Sequence, residues 1–376
     1  MSQWSVGPRR SARLAASSAI GLALAVVAAA AAPPAVAAAP RTPATAPAAA
    51  PQSAAVIAHR GASGYRPEHT LAAYQLAIEQ GADFVEPDLV STKDGVLVAR
   101  HENEIGGTTD VAEHPEFAGR KTTKTIDGRA VTGWFTEDFT LAELKTLRAV
   151  ERLPAVRPGN TAYDGKFPVP TLQEVIALVK RESKRRHRTI GIYPETKHPT
   201  YFRTIGKPLE EPLVKVLRRI RPARVVIQSF ETGNLRRLDS MTDVPLVQLV
   251  DATGKPFDDS RAYDDLVTPS GLADVATYAD GVGLHTARVV PVDATGRTQA
   301  PTTVVADAHR AGLIVHVWTV RAENQFLPLD YRSGTDPNAH GDVEGWIELL
   351  LAQQINGFFT DFPDVGRAVV SGRRAA

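Results

Sequence analysis

The sequence contains no cysteine among its 376 residues, and this absence excludes several classes of protein. Disulfide-stapled scaffolds, cysteine-ligated zinc or iron–sulfur sites and thiol nucleophiles cannot occur. An excess of charge is missing as well, because 43 lysines and arginines stand against 42 acidic residues. A net charge of +1 gives no general attraction to nucleic acid or to an anionic membrane, so we expect no nucleic-acid partner.

The first 37 residues have the order of features that is typical of an export signal. Three arginines and no acidic residue precede an apolar run at 14–32, and Ala35-Val36-Ala37 fits a small-residue cleavage site. The alternative is a permanent membrane anchor, but the run is mostly alanine and ends in prolines. We therefore predict a secretory signal peptide at 1–37, a secreted (extracellular or periplasmic) protein and no stable membrane span after processing. The pair Arg9-Arg10 leaves both general and twin-arginine export open.

Residues 38–54 are almost entirely alanine, proline and threonine, which predicts a flexible linker. From residue 55 onward, nine short apolar runs alternate with helical patterns, and such alternation favours a parallel sheet. One run, 96–99, follows Asp94-Gly95, the strongest short hairpin signal. We interpret it as an antiparallel return, with Asp88 opposite His101. Eight strands remain, and they predict an α/β fold of the eight-stranded (β/α)8 TIM-barrel class over 55–376.

The predicted barrel is about 60 residues longer than is typical. The excess falls on a polar segment after the second strand, at about 102–169, which lacks a clear strand–helix unit. We expect this segment to be an insertion on the catalytic face, with one helix at 141–150. Barrel enzymes carry their chemistry at the ends of the strands on that face.

Charged residues follow several of these strands. Histidine at position 59 is suited to proton transfer, and the adjacent Arg60 offers a planar fork for phosphate oxygens. Glu86 and Asp88 project to one face of a strand, where two carboxylates need a positive partner such as a hard divalent cation. Pro87 between them weakens that argument, because proline favours a strand margin or bulge.

Two further strand ends add to this pattern. His101 returns towards Asp88 through the predicted hairpin, and Glu195 with Lys197 follows the third barrel strand. Each residue alone has an ordinary explanation as a loop or surface group. Together they indicate a site that binds a phosphate ester and one hard metal ion, with histidines as general acid and base.

In this set of motifs the sequence resembles the glycerophosphodiester phosphodiesterases, especially their exported members. The resemblance covers nearly all of the chain after the predicted signal. The matching segments are Ile57-Ala58-His59-Arg60-Gly61, Pro67-Glu68-His69-Thr70, Glu86-Pro87-Asp88-Leu89-Val90, Thr92-Lys93-Asp94-Gly95-Val96, Val98-Ala99-Arg100-His101-Glu102-Asn103, Tyr193-Pro194-Glu195-Thr196-Lys197, Gln228-Ser229-Phe230, Val317-Trp318-Thr319-Val320 and Phe359-Thr360-Asp361-Phe362-Pro363.

The resemblance implies a barrel of the phospholipase-C-like phosphodiesterase type that hydrolyses glycerophosphodiesters with one divalent cation, Ca²⁺ or Mg²⁺. It also implies a role for each matching residue. The metal ligands would be Glu86, Asp88 and Glu195, the acid–base pair His59 and His101, and the phosphate-binding residues Arg60 and Lys197. Glu68 is a candidate metal contact or a partner that orients Arg60, and His69 stands where the family has asparagine. Trp318 is a candidate wall for the glycerol carbons, with core packing as the alternative.

The expected activity is release of sn-glycerol 3-phosphate and an alcohol from a small-molecule glycerophosphodiester substrate. Two alternatives stay open at the level of sequence. One is a related phospholipase D-like lyase that stops at the cyclic phosphate, and the other is a non-catalytic barrel that binds cell-wall polyol phosphates. The headgroup of the substrate and the oligomeric state are not set by these motifs.

Overall fold

A computed structural model describes residues 54–372. The predicted signal peptide and nearly all of the predicted linker therefore lie outside the described residues. In the described part the strands are β1 (Ala55–Ala58), β2 (Phe84–Val85), β3 (Asp88–Ser91), β4 (Leu97–Ala99), β5 (Thr122–Ile126), β6 (Arg129–Gly133), β7 (Gly191–Ile192), β8 (Glu195–Thr196), β9 (Ile227–Ser229), β10 (Leu246–Val250), β11 (Gly281–His285), β12 (Ile314–Val320) and β13 (Gly357–Thr360).

The strand pairings close a barrel. β2 and β3 are two parts of one extended segment, and so are β7 and β8. Counted in this way, eight parallel strands pair in chain order from β1 to β13, and β13 pairs back onto β1. The predicted α/β barrel is thereby confirmed. The carboxyl ends of its strands meet at one rim, where side chains from distant parts of the sequence come together.

Helices follow the strands and pack their apolar faces against the sheet. They are α1 (Leu71–Glu79), α2 (Leu141–Leu144), α3 (Leu172–Arg185), α4 (Pro199–Thr204), α5 (Glu210–Ile220), α6 (Thr232–Met241), α7 (Tyr263–Leu266), α8 (Pro269–Val275), α9 (Thr286–Val289), α10 (Val304–Arg310), α11 (Val343–Ala352) and α12 (Pro363–Val370). Within 54–372, no helix is both long enough and apolar enough to cross a bilayer.

Proline interrupts the second and third barrel strands at the same level. The pairing of β2 with β7 and of β3 with β8 places Pro87 opposite Pro194. Neither proline can donate a hydrogen bond to the strand ladder. Asp88 and Glu195 directly follow these prolines and are paired across the two strands.

The hairpin between β3 and β4 forms, but its predicted register is wrong by one residue. Leu89 pairs with Ala99 and Ser91 with Leu97, so Asp88 lies opposite Arg100 and not opposite His101. The loop has three residues and not two. Thr92 Oγ1 accepts a hydrogen bond from the Val96 amide at 2.9 Å, and Gly95 adopts φ +79°. A glycine in the left-handed region is typical of three-residue hairpin loops.

The turn between β1 and α1 depends on a glycine and a helix cap. Gly61 has φ +90°, and a Cβ atom there would lie 2.7 Å from the backbone carbon of Ala73. Thr70 Oγ1 accepts a hydrogen bond from the Ala73 amide at 3.0 Å and so caps α1. The close approach and the cap together hold His59 and Glu68 at the rim of the barrel.

Residues 102–169, between β4 and α3, contain the β5–β6 hairpin, several turns of 3₁₀ helix and α2. The helix predicted at 141–150 is much shorter than expected, ending at Leu144. Its start is fixed by a capping box, in which Thr140 Oγ1 accepts from the Glu143 amide and the Glu143 carboxylate accepts from the Thr140 amide. Side chains of this segment reach the rim of the barrel.

Candidate active site

Three buried carboxylates converge at the rim of the barrel. Glu86 precedes β3, Asp88 begins it, and Glu195 begins the neighbouring β8. One oxygen from each of these side chains lies within 4.8 Å of the others. We call Glu86, Asp88 and Glu195 the acid triad. All three residues are at least 95% buried, so water screens their mutual repulsion only weakly.

The electrostatics of the triad favour a cation. Burial, together with the charges of Asp88 and Glu195, raises the pKa of Glu86 well above its usual range. Burial also raises the pKa of Glu195 to about 7, against the opposing charge of Lys197. Oδ1 of Asp88 is buried and has no hydrogen-bond partner. An all-oxygen donor set with an orphaned carboxylate oxygen fits a hard divalent ion such as Ca²⁺ or Mg²⁺.

Arg60 and Lys197 supply positive charge next to the triad. The Arg60 amide donates to Glu86 Oε2 at 3.0 Å, and its guanidinium Nε lies 3.6 Å from Asp88 Oδ2. Lys197 Nζ donates to Glu195 Oε1 at 2.9 Å. Both cationic side chains line the same cavity as the triad's Glu86 and Glu195, where they could contact the oxygens of a bound phosphate.

Glu68 lies apart from the acid triad. Its carboxylate accepts from Arg60 Nη1 at 3.0 and 3.2 Å and from Arg152 Nε at 2.8 Å. Both carboxylate oxygens of Glu68 are thus bonded to arginines, and its two candidate roles, contact with a metal and orientation of Arg60, stay predictions. Arg152 belongs to the 102–169 segment, which therefore contributes to the rim.

The two candidate acid–base histidines face one small cavity. This catalytic cavity has a volume of about 100 Å³, and His59, His101, Arg60, Glu86 and Lys197 are among its lining residues. Burial, followed by the charge of Arg60, lowers the pKa of His59 to about 4. Burial, Arg60 and Lys197 lower the pKa of His101 to about 3. Both rings are neutral at pH 7 before an anionic substrate binds.

Each histidine is oriented through Nδ1. His59 Nδ1 lies 2.5 Å from Asp361 Oδ1, and His101 Nδ1 lies 2.8 Å from Glu102 Oε1. A ring whose Nδ1–H donates to a carboxylate carries its lone pair on Nε2. His101 Nε2 lies 3.2 Å from Lys197 Nζ, at the edge of the catalytic cavity.

The carboxylate next to His101 belongs to a chain of polar contacts. Glu102 Oε2 lies 2.7 Å from His198 Nε2, and His198 Nδ1 lies 2.5 Å from Asp127 Oδ2. Asp127 lies in the turn between β5 and β6, so this hairpin is connected to the candidate catalytic histidine. Burial alone would lower the pKa of His198, but the hydrogen bonds to Asp127 and Glu102 outweigh it and raise the pKa to about 9.

A larger cavity of about 960 Å³ adjoins the catalytic cavity and shares Glu195, Lys197 and Phe230 with it. The β5–β6 hairpin and the loop at 251–257 form its outer walls. Its size is sufficient for the second half of a diester substrate.

Trp318 lines the catalytic cavity and also packs within the fold. Its indole Nε1 donates to the Gly283 carbonyl at 2.8 Å, and its ring lies edge-on to Phe230 and His285, with centroid separations of 5.5 and 5.1 Å. Trp318 thus borders the cavity and packs in the core, and a contact of its ring with the glycerol carbons stays a prediction.

Three residues near the site had no role in the sequence analysis. His69 is fully buried and places Nε2 3.1 Å from Asp88 Oδ2, and Gln228 donates to Glu86 Oε1 at 2.6 Å. Asp361 holds His59. Asp361 could have been identified as a site residue from the sequence, because it directly follows the last strand and belongs to one of the family motifs. His69 was visible only as a departure from the family pattern.

The polar chain at His198 predicts a pH-dependent contribution to stability. A histidine whose pKa rises from 6.5 to about 9 on folding stabilises the protein fully below pH 6.5, and this contribution disappears as the pH rises through 9. We expect the difference in unfolding free energy between wild type and His198→Asn to shrink by up to roughly 3 kcal/mol over that interval. Denaturant unfolding at a series of pH values measures it. Asp127→Asn should reduce the same pH dependence, and parallel curves for wild type and His198→Asn would contradict the assignment.

Sequence comparisons agree with this geometry. A model of the glycerophosphoryl diester phosphodiesterase family matches residues 59–365. The chain is 38% identical over 323 residues to the glycerophosphodiester phosphodiesterase GDPD6 of Arabidopsis thaliana, with 81% of this chain and 83% of the relative covered. It is 33% identical over 346 residues to the glycerophosphodiester phosphodiesterase of Haemophilus influenzae, with 84% and 90% covered.

Solved structures show the same fold. A phosphodiesterase of Oleispira antarctica in complex with the product sn-glycerol-3-phosphate matches with a TM-score of 0.57 and 21% identity, over 84% of this chain and 96% of that one. A glycerophosphodiester phosphodiesterase from Agrobacterium tumefaciens matches with a TM-score of 0.54 and 19% identity, over 84% and 99%. The family match over most of the barrel, and the two relatives above 30% identity, show that the chain belongs to the glycerophosphoryl diester phosphodiesterase family.

Proposed function

We propose that this enzyme is a metal-dependent glycerophosphodiester phosphodiesterase that releases sn-glycerol 3-phosphate and an alcohol by two-histidine acid–base catalysis. The observation that carries the proposal is that two of the three triad carboxylates and both histidines line one cavity, with Arg60 and Lys197 beside them. The product bound to the Oleispira antarctica phosphodiesterase is consistent with this substrate class. The names of the relatives favour a hydrolase over a lyase or a non-catalytic barrel.

The acid triad would hold the divalent cation, which supplies charge neutralisation for the non-bridging phosphate oxygens. Arg60 and Lys197 bind and orient the same phosphate. In the first step a glycerol hydroxyl attacks phosphorus and one neutral histidine accepts its proton, while the other histidine, which must first take up a proton from solvent as the anionic phosphate binds, protonates the departing alcohol. In the second step water opens the cyclic phosphate while the histidines exchange roles. The adjoining larger cavity accommodates the alcohol half before it leaves.

Removal of divalent cations should abolish the activity. We expect release of sn-glycerol 3-phosphate from glycerophosphocholine to fall to background in excess chelator, because the three carboxylates would then repel one another and the phosphate. Activity should return when Ca²⁺ or Mg²⁺ is added in excess, each tested separately. Undiminished turnover in excess chelator would contradict the proposed metal dependence. A cyclic phosphate product that persists in ³¹P NMR spectra would favour the lyase.

The histidines should govern turnover. His59→Ala and His101→Ala are each expected to lower kcat by about 10²–10⁴-fold, the range for loss of a general acid or base. His309→Ala is a matched control, since His309 is exposed on α10, its ring contacts the side chain of Asn356 at 3.0 Å, and it does not line the catalytic cavity. Full kcat in both cavity variants would exclude the pair from acid–base catalysis.

We also propose that the enzyme is exported, a proposal that rests on the N-terminal sequence alone. The expected mature N-terminus is Ala38, directly after Ala35-Val36-Ala37. Edman or mass-spectrometric sequencing of the protein recovered from the medium or the cell envelope measures this. Recovery of a full-length chain beginning at Met1 from the cytosol alone would contradict export.

A further inference from the structure

His59 depends on a single buried carboxylate. Asp361 Oδ1 contacts His59 Nδ1 at 2.5 Å, and its other oxygen, Oδ2, accepts from Arg157 Nη2 at 2.6 Å and from Arg321 Nε at 3.1 Å. The Asp361 side chain is 1% exposed. A buried carboxylate with no positive partner is costly, so these contacts decide whether Asp361 can remain charged in this position.

The two arginines differ in what surrounds them. The Arg321 side chain is 22% exposed and lines the catalytic cavity. The Arg157 side chain is 5% exposed and lies behind Asp361, with its guanidinium carbon 5.6 Å from the centroid of the Phe362 ring. Arg157 therefore contacts the carboxylate without lining the catalytic cavity.

All three guanidinium nitrogens of Arg157 are engaged. Nη2 donates to Asp361, Nε donates to Glu323 Oε1 at 2.6 Å, and Nη1 donates to the Ser63 carbonyl at 3.0 Å. Glu323 is itself 1% exposed. This geometry fixes the plane of the guanidinium, because a planar fork with three separate acceptors has no freedom to rotate.

Arg157 reaches the site from outside the barrel strands. It belongs to the 102–169 segment, which joins β4 to α3, whereas Asp361 directly follows β13 and Glu323 lies shortly after β12. The contacts Arg157–Asp361 and Arg157–Glu323 thus connect that segment to the ends of the last two strands. They add to the contact that Arg152, from the same segment, makes with Glu68.

We propose that Arg157, held by Glu323, is a positioning residue for the catalytic His59, acting through Asp361. This inference rests on the proposed function of His59. Arg157 fixes the direction of the Asp361 carboxylate and compensates its charge, so that Oδ1 stays aligned with His59 Nδ1 and Nε2 stays directed at the reacting atoms. The 102–169 segment is thereby part of the catalytic apparatus and not only a wall of the outer cavity.

The proposal predicts a loss of turnover without a loss of substrate binding. Arg157→Gln should lower kcat for glycerophosphocholine by roughly 100-fold, the cost of a small displacement of a catalytic group, with KM changed by less than about threefold. Arg157→Lys should recover part of kcat, since lysine retains the charge but cannot contact Asp361 and Glu323 with a fixed fork. Glu323→Gln should show a smaller loss of kcat.

Arg120→Gln is the matched control. Arg120 is another arginine of the same segment, paired with Glu143 through two hydrogen bonds and 33% exposed, and it lies outside the catalytic cavity. Its variant should keep wild-type kcat and KM. Wild-type kcat in Arg157→Gln or in Arg157→Lys would overturn the proposal. If Arg157→Gln fails to fold, as judged by circular dichroism, the lysine variant and Glu323→Gln carry the same test.

A double-mutant cycle separates positioning from general destabilisation. If Arg157 acts through Asp361, Arg157→Gln should reduce kcat much less in an Asp361→Asn background than in wild type. Equal reductions in the two backgrounds would show an effect independent of Asp361 and would overturn the proposal. The activity of the wild-type enzyme with Ca²⁺ or Mg²⁺ is the reference for all variants. If the wild-type enzyme itself shows no activity, that result contradicts the proposed function and not specifically the role of Arg157.

Discussion

The repulsion among three buried carboxylates is the constraint that organises this site. One oxygen from each of Glu86, Asp88 and Glu195 lies within 4.8 Å of the others, and all three residues are at least 95% buried. Such an arrangement is unfavourable unless positive charge surrounds it. The chain provides that charge in Arg60 and Lys197, and it leaves a carboxylate oxygen without a protein partner, which a cation can take.

The neighbouring residues follow from the same constraint. Arg60 is needed close to the triad, so its guanidinium is held by Glu68, and Glu68 is in turn held by Arg152. Burial, followed by the charge of Arg60, lowers the pKa of both histidines and keeps them neutral, which leaves either one able to accept a proton. Asp361 and Glu102 then orient the two rings from behind. Positively and negatively charged side chains therefore alternate around one cavity, and most of them are held by a neighbour of opposite charge.

Much of this arrangement was predictable from local sequence, and the reasons are physical. Barrel strands end at one rim, so charged residues after successive apolar runs must meet there, and Glu86, Asp88, Glu195 and His59 did. Contacts from the 102–169 segment were not predictable. The positions of Arg157 and Asp127 could not be predicted from a periodic pattern of residues. They lie in loops and turns, whose conformation depends on tertiary contacts and not on a repeating backbone geometry. The hairpin register was missed because Thr92 contributes a side-chain hydrogen bond that lengthens the loop.

The paired prolines have a consequence for the barrel itself. Pro87 and Pro194 interrupt adjacent strands at one level, and the residues that follow them carry two of the triad carboxylates. The Glu195 amide still donates to the Pro87 carbonyl at 3.2 Å, but neither proline can donate in return, so the backbone ladder is weaker at this level. A cation held by both Asp88 and Glu195 would add a further link between the two strands at that level. Binding of the cation would then also stabilise this part of the barrel wall.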